Sequence, residues 1–242
     1  MTYENFDVSF HDEVAMIRLA NPDDPNNSLG TAFLRDLQAV IPRVASNPGL
    51  KLVLFIGTSR AFSSGANLDK LADATEEEIA ALLHEGQWLL QDIMGLNVIT
   101  IAAVNGVALG GGLELALACD IRWAHRRAVF GLPEVRRGLL PGWGGLSLLR
   151  RIAPESLCVE MAAGGQFIGA RRAYEAGLVS RLFEGRDFEA AALSEALREL
   201  KLQLKRGRGS VDLSAGNGSF LTLWKARRRT VRAPAVPLEA TA

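Results

Sequence analysis

Glu114 and Glu134 are the residues whose type and setting are best suited to chemistry, because each carboxyl sits beside a sharp turn. Glu114 lies in "VNGVALGGGLELALACD", residues 104–120, two positions after the run Gly110, Gly111 and Gly112. Its neighbours Leu113, Leu115, Ala116 and Leu117 are all apolar. Partial desolvation should therefore raise its pKa toward a range useful for proton transfer. The alternative is a solvent-facing acid that complements a helix dipole. Glu134, in "FGLPEVRRGLLPGWGG", follows Pro133, and proline at the first helical position with an acid next is also an ordinary helix start. Taken together, two glutamates beside turns point to paired acid and base work.

The glycine run falls where an apolar strand gives way to a helix, and the first amides of a helix have no intrahelical partner. Such N–H groups, at the positive end of the dipole, suit negative charge; the competing reading is close packing of helix on strand. A second loop, "AFSSGANLDKL", brings the small residues Ser64, Gly65 and Ala66 before Asn67 and Leu68. There a ligand could approach main-chain amides closely. Two amides from separate loops, aimed at one point, would form an oxyanion hole, from which loss of one donor costs roughly 3 kcal/mol in the transition state. A dinucleotide fingerprint starting at Gly110 fails, because position 115 is Leu.

Other chemistries find little support. No G-x-S-x-G surrounds Ser63 or Ser64, and His11, His84 and His125 each read as solvated or structural. No His, Cys and acid cluster has metal-ligand spacing, so no metal is expected. Cys119 and Cys158 sit in apolar, helix-like stretches and read as reduced core residues of a cytoplasmic protein.

These groups need a scaffold, and 242 residues with 48% hydrophobic content suffice for a substantial core. Lys and Arg number 27 against 27 Asp and Glu, so no overall field favours nucleic acid or an anionic membrane. The start, "MTYENFDVSFHDE", is acidic, and no apolar run reaches membrane-spanning length, so export and membrane insertion are not expected.

Along the chain, "FDVSFHDEVAMIRLA" reads as a hairpin, "TAFLRDLQAVIPRVA" as a helix and "KLVLFIGTS" as a buried strand. "EEEIAALLHEGQWLLQDIM" reads as a helix with acids at its start, and "NVITIAAVNGVAL" as one buried strand. "GLELALAC" is then a short helix, "IRWAHRRAVFGLPE" a strand and turn, and "GGLSLLRRIAP" a helix ended by Pro154. This alternation predicts an α/β core. Strands stop near Phe188, so residues 1–187 are expected to form the core with the site, and 188–242 a helical oligomerisation region with a frayed tail. The basic stretch "KARRRTVR" within it reads as a solvated helix face rather than an RNA surface.

In order, "FSSGANLDKL", "IAAVNGVALGGGLELALACDI", "FGLPEVRRGLLPGWGG" and "GARRAYEAGLVSRL" resemble the crotonase superfamily of enoyl-CoA hydratases and isomerases. The resemblance runs from the hairpin to about Phe183. It implies a spiral of ββα turns, C-terminal helices in trimer contacts, and a homotrimer or dimer of trimers. It also implies that backbone N–H groups of Ala66 and Gly111 hold an acyl-CoA thioester carbonyl. Glutamates matching Glu114 and Glu134 then bracket the alkene, with Ser64, Gly65, Asn67, Leu68, Gly110 and Trp143 around the substrate. The implied activity is a lyase hydrating a 2-enoyl thioester of fatty acid metabolism; isomerisation or decarboxylation on the same scaffold is the alternative. No cofactor is implied, coenzyme A or phosphopantetheine entering only as part of the substrate.

The chain departs from the family at Asn67, where many hydratases carry an acid, and at Asp23 and Asp24, near where many carry a base for the CoA phosphates. Positive charge would then come from Lys225, Arg227, Arg228 and Arg229 of this or a neighbouring chain, or an acyl carrier protein would replace free CoA. Trp143 stands where smaller residues are common, and either packs the loop or shortens the acyl pocket.

Overall fold

The computed structural model describes residue 3 and residues 5–21, 24–58, 60–66 and 74–205, with side chains described to residue 202. Met1–Arg198 forms one compact unit, and Glu199–Ala242 a second, of which the structure describes only the first few residues.

Strands β1 (Phe6–His11) and β2 (Val14–Leu19) form the opening antiparallel hairpin, its turn set by Asp12 at φ 52°. Helix α1 (Thr31–Ala45) follows, burying Phe33, Leu34, Leu37, Val40, Ile41 and Val44 on the face that its apolar spacing predicted. The chain then makes three similar passes, each laying a strand in a large sheet and a short strand in a smaller one. The first pass is β3 (Leu52–Ile56) and β4 (Ala61–Ser63), followed by α2 (Glu76–Gly95). The second is β5 (Ile99–Val104), β6 (Val107–Leu109) and α3 (Gly111–Ala118). The third is β7 (Ile121–His125), β8 (Val129–Gly131), a 3₁₀ turn over Glu134–Arg137, and α4 (Gly145–Leu149). Helix α5 (Glu155–Cys158), continued by a π-helical turn over Val159–Ala163, strand β9 (Phe167–Gly169), helix α6 (Ala170–Glu175), strand β10 (Arg181–Phe183) and helix α7 (Phe188–Lys205) complete the described chain.

The large sheet has the order β1-β2-β3-β5-β7-β10 and the small one β4-β6-β8-β9. From β2 onward the large sheet is parallel. Every residue of β3, β5 and β7 is buried, as expected for parallel strands covered on both faces. This is the expected ββα spiral with its C-terminal helix.

Three expectations change. "NVITIAAVNGVAL" is two strands in different sheets, because the chain turns a corner at Asn105 and Gly106. A Cβ at Gly106 would lie 2.0 Å from the Arg60 carbonyl oxygen, while Asn105 Oδ1 accepts the Gly57 N–H at 3.0 Å. "IRWAHRRAVFGLPE" likewise holds a second strand, β8, beyond its turn. The helix expected over "GGLSLLRRIAP" stops at Leu149. β4, β9 and β10 escape notice in the sequence, since three residues are too few to show a period.

Helix α2 starts on a capping box: the Glu78 N–H donates to Thr75 Oγ1 at 3.2 Å, and the Thr75 N–H to Glu78 Oε2 at 2.8 Å. Cys119 and Cys158 are free and buried. No helix among the described residues is long and apolar enough to cross a membrane.

Candidate active site

Helix α3 is apolar all round apart from Glu114, and all its residues are buried, the condition of a helix enclosed by the core rather than lying on it. Glu114 in its first turn is therefore taken out of water, at 2% exposure. Burial pushes its carboxyl up to about 7, the negative charge of Glu134 adding to the rise. Hydrogen bonds from Gly145 and Trp143 pull the other way without prevailing. Both are main-chain donors to Oε1, Gly145 N–H at 2.7 Å and Trp143 N–H at 3.0 Å. Oε2 has no donor among the described residues. One oxygen thus fixes the carboxyl while the other is left for a ligand or water.

Glu134 is held differently. It opens the 3₁₀ turn after Pro133, and Gly138, at φ 72°, closes that turn in the left-handed conformation. The side chain is half-buried, and burial raises its pKa. Its Oε2 is enclosed with no hydrogen-bond partner among the described residues. Its Oε1 crosses to the other loop, 2.9 Å from where a Cβ on Gly110 would sit. Glycine at 110 is what lets that carboxyl approach the start of α3.

The loop Ser63 to Ala66 is anchored from below. Ser63 Oγ donates to the Asn27 carbonyl at 2.8 Å and accepts the Gly65 N–H at 3.1 Å. Asn27, 1% exposed at φ 50°, donates from Nδ2 to the carbonyls of Leu19 and Ala61, tying the hairpin to β4. Gly65 has φ 82°, and a Cβ there would come 2.6 Å from the Leu109 carbonyl oxygen and 2.9 Å from Gly111 N. The two loops expected to share a task therefore touch backbone to backbone, an approach that a side chain would block.

Between them lies a cavity of about 250 Å³ lined by Ser64, Ala66, Gly110, Gly111, Glu114, Glu134 and Trp143 among others. Of the anticipated site residues, Gly65 sits behind this wall rather than on it, and Asn67 and Leu68 lie outside the described residues. So do Asp23 and the basic residues from Lys225 to Arg229. Asp24 turns its carboxylate onto its own loop, accepting from the main-chain N–H groups of Asn26 at 2.9 Å and Ser28 at 3.0 Å.

The lining residues that the sequence did not flag are apolar: Ile79, Leu82 and Leu83 from α2, and Pro133, Leu139, Leu140, Pro141 and Gly142 from the segment after β8. Leu140 is 80% exposed at the rim. Gly86, inside α2, was the readable signal, since an isolated glycine within a helix commonly marks a close packing contact. The histidines stand apart from the cavity: His11 bonds Ser9, His84 stacks on Trp88, and His125 Nε2 meets the Gly185 carbonyl.

A ββα spiral that brings two desolvated carboxyls and the first amides of a buried helix to one apolar cavity defines a crotonase-type fold and site. The enoyl-CoA hydratase/isomerase family matches residues 9–205, and the chain belongs to that family. It is 38% identical over 177 residues to the 2,3-dehydroadipyl-CoA hydratase of Escherichia coli (strain K12), covering 73% of this chain and 68% of that protein. To the Bacillus subtilis (strain 168) protein named "Probable enoyl-CoA hydratase" it is 36% identical over 168 residues, covering 69% of this chain and 64% of that one. The chain thus spans about two thirds of the length of these curated relatives. The crystal structure of the enoyl-CoA hydratase from Bacillus anthracis superposes with a TM-score of 0.75 at 31% identity, over 94% of this chain and 90% of that one.

Proposed function

We propose that this family member hydrates the 2,3 double bond of a 2-enoyl thioester, reversibly, with coenzyme A as the acyl carrier. The observation that carries the reading is the pairing of Glu114, buried and fixed through one oxygen, with Glu134 across the same cavity. Glu114 as carboxylate takes a proton from water as the water oxygen bonds to C3 and the π electrons move toward the thioester. Glu134 as carboxylic acid gives its proton to C2 as the carbonyl re-forms. Proton exchange between the two carboxyls through solvent then restores the starting state. The charge that develops on the thioester oxygen is met by the N–H groups of Ala66 and Gly111, the second at a helix start.

A pKa near 7 leaves Glu114 half ionised at neutral pH and able to take a proton from water, and burial shifts the Glu134 carboxyl in the same direction. Asp24, engaged with the donors of its own turn, need not oppose a CoA phosphate. Incubation with crotonyl-CoA should remove the conjugated-thioester absorbance and yield the 3-hydroxyacyl product. Conversion of a 3-enoyl thioester with no loss of crotonyl-CoA would favour isomerisation instead.

A further inference from the structure

The Trp143 indole, 6% exposed, bridges two helices at the inner end of the cavity. Its Nε1–H donates to the Leu82 carbonyl of α2 at 3.2 Å. Its rings fill space that two absent side chains would need. A Cβ at Gly86 of α2 would fall 2.0 Å from Cε2, and a Cβ at Gly111 would fall 2.4 Å from Cζ3. The five-membered ring is therefore set into α2, and the edge of the six-membered ring faces the first residue of α3. Both seats exist only because 86 and 111 are glycine, and the one at 86 costs helix propensity inside a 20-residue helix.

This places an aromatic wall immediately beyond Gly111. If the thioester oxygen lies on the Gly111 amide and C3 lies beside Glu114, as in the reading above on which this step rests, an acyl tail that continues inward meets the indole within a few atoms. The same residue anchors Glu114 through its main-chain N–H, so one short loop carries both the wall and an anchor of the base. We infer that Trp143 is a specificity-determining residue that closes the acyl pocket behind C3 and selects short acyl groups over long straight ones. Replacing its side chain keeps the N–H that holds Glu114 and removes the wall together with its hydrogen bond to Leu82.

Binding of saturated acyl-CoA thioesters tests this without any turnover. Titration calorimetry of the full chain with butyryl-CoA and decanoyl-CoA is expected to show wild type preferring the short chain by at least about tenfold, the discrimination that a closed apolar pocket exerts on added methylenes. Trp143→Leu is expected to shift that preference toward decanoyl-CoA by at least about tenfold, and Trp143→Phe, a smaller cavity and a safer fold, to shift it the same way by less. Gly86→Ala, which forces the ring off α2 and into the cavity, is expected to weaken butyryl-CoA binding, with recovery when combined with Trp143→Leu. Equal affinity of wild type for both chain lengths, or a preference unchanged in folded Trp143→Leu and Trp143→Phe, overturns the inference. Short-chain selectivity in binding with no hydration of crotonyl-CoA would leave it standing and sink the hydratase reading instead; hydration with no chain-length discrimination would do the reverse.

Discussion

The two turns that carry the glutamates belong to successive passes of the same spiral, yet they treat their carboxyls differently. The first, Leu109 to Glu114, is wholly enclosed from Gly110 onward: its helix is buried on every side, and Glu114 is fixed by two main-chain donors. The second, Pro133 to Trp143, begins as a 3₁₀ turn with no fully buried residue, leaves Glu134 Oε2 without a partner among the described residues and runs out to Leu140 at 80% exposure. In the proposed reaction the first turn would supply a fixed reference, holding the base and an anion-seeking amide on one buried helix. The second would supply a carboxyl held by fewer contacts, together with apolar walls of the cavity. Division of labour between a rigid and a more open turn is a reasonable way to hold the reacting atoms while admitting a long carrier.

That contrast can be broken most decisively at the carboxyls. Glu114→Gln and Glu134→Gln should each lower kcat/KM for crotonyl-CoA by about 10²–10⁴-fold, with the affinity for butyryl-CoA little changed. The reading of both carboxyls as reacting groups would fail if either change weakened binding as much as it slowed turnover.

A smaller effect concerns the cost of enclosing Glu114. Its ordinary value of 4.5 becomes about 7 in the fold. Between those values the folded chain retains a proton that the unfolded chain has released, so stability falls as pH rises from about 4.5 to 7 and stays low above that. Glu114→Gln removes the penalty, and at pH 8 should stabilise the protein by as much as about 3 kcal/mol while changing little at pH 4.5. Thermal unfolding of the two proteins at both pH values measures the difference; equal melting temperatures at pH 8 would show that the buried carboxyl is not strained.

The smallest change is expected at the rim. Leu140→Ala should leave stability within about 0.5 kcal/mol of wild type and raise KM for crotonyl-CoA without lowering kcat. A matched loss of kcat would place the rim among the parts that order the transition state and weaken the distinction between the two turns.

Much of this was legible in the residues. The hairpin, α1, α2 and α3 announce themselves through apolar period and polar punctuation, and α1 occupies the very residues its pattern marks, Thr31–Ala45. The two glutamates and the loops "FSSGAN" and "ALGGG" stand out because carboxylates beside glycine-rich turns are unusual in otherwise apolar surroundings. Less was legible where the meaning of a residue depends on what lies across from it. Asn27 reads as one more polar residue in "NPDDPNNSL", yet it is a buried clamp between the hairpin and β4. The split of "NVITIAAVNGVAL" follows from the Arg60 carbonyl pressed against Gly106, a partner 46 positions earlier in the sequence.

By itself the sequence determined the α/β alternation, the family and the pair of acids, because these rest on local pattern and side-chain type. Only the tertiary structure decided that Gly65 stands behind the cavity wall, that Gly145 and Trp143 grip Glu114, and that the indole seats against Gly86 and Gly111. Those relations join residues tens of positions apart, and their energies come from close packing and desolvation. Neither exists until the chain has folded.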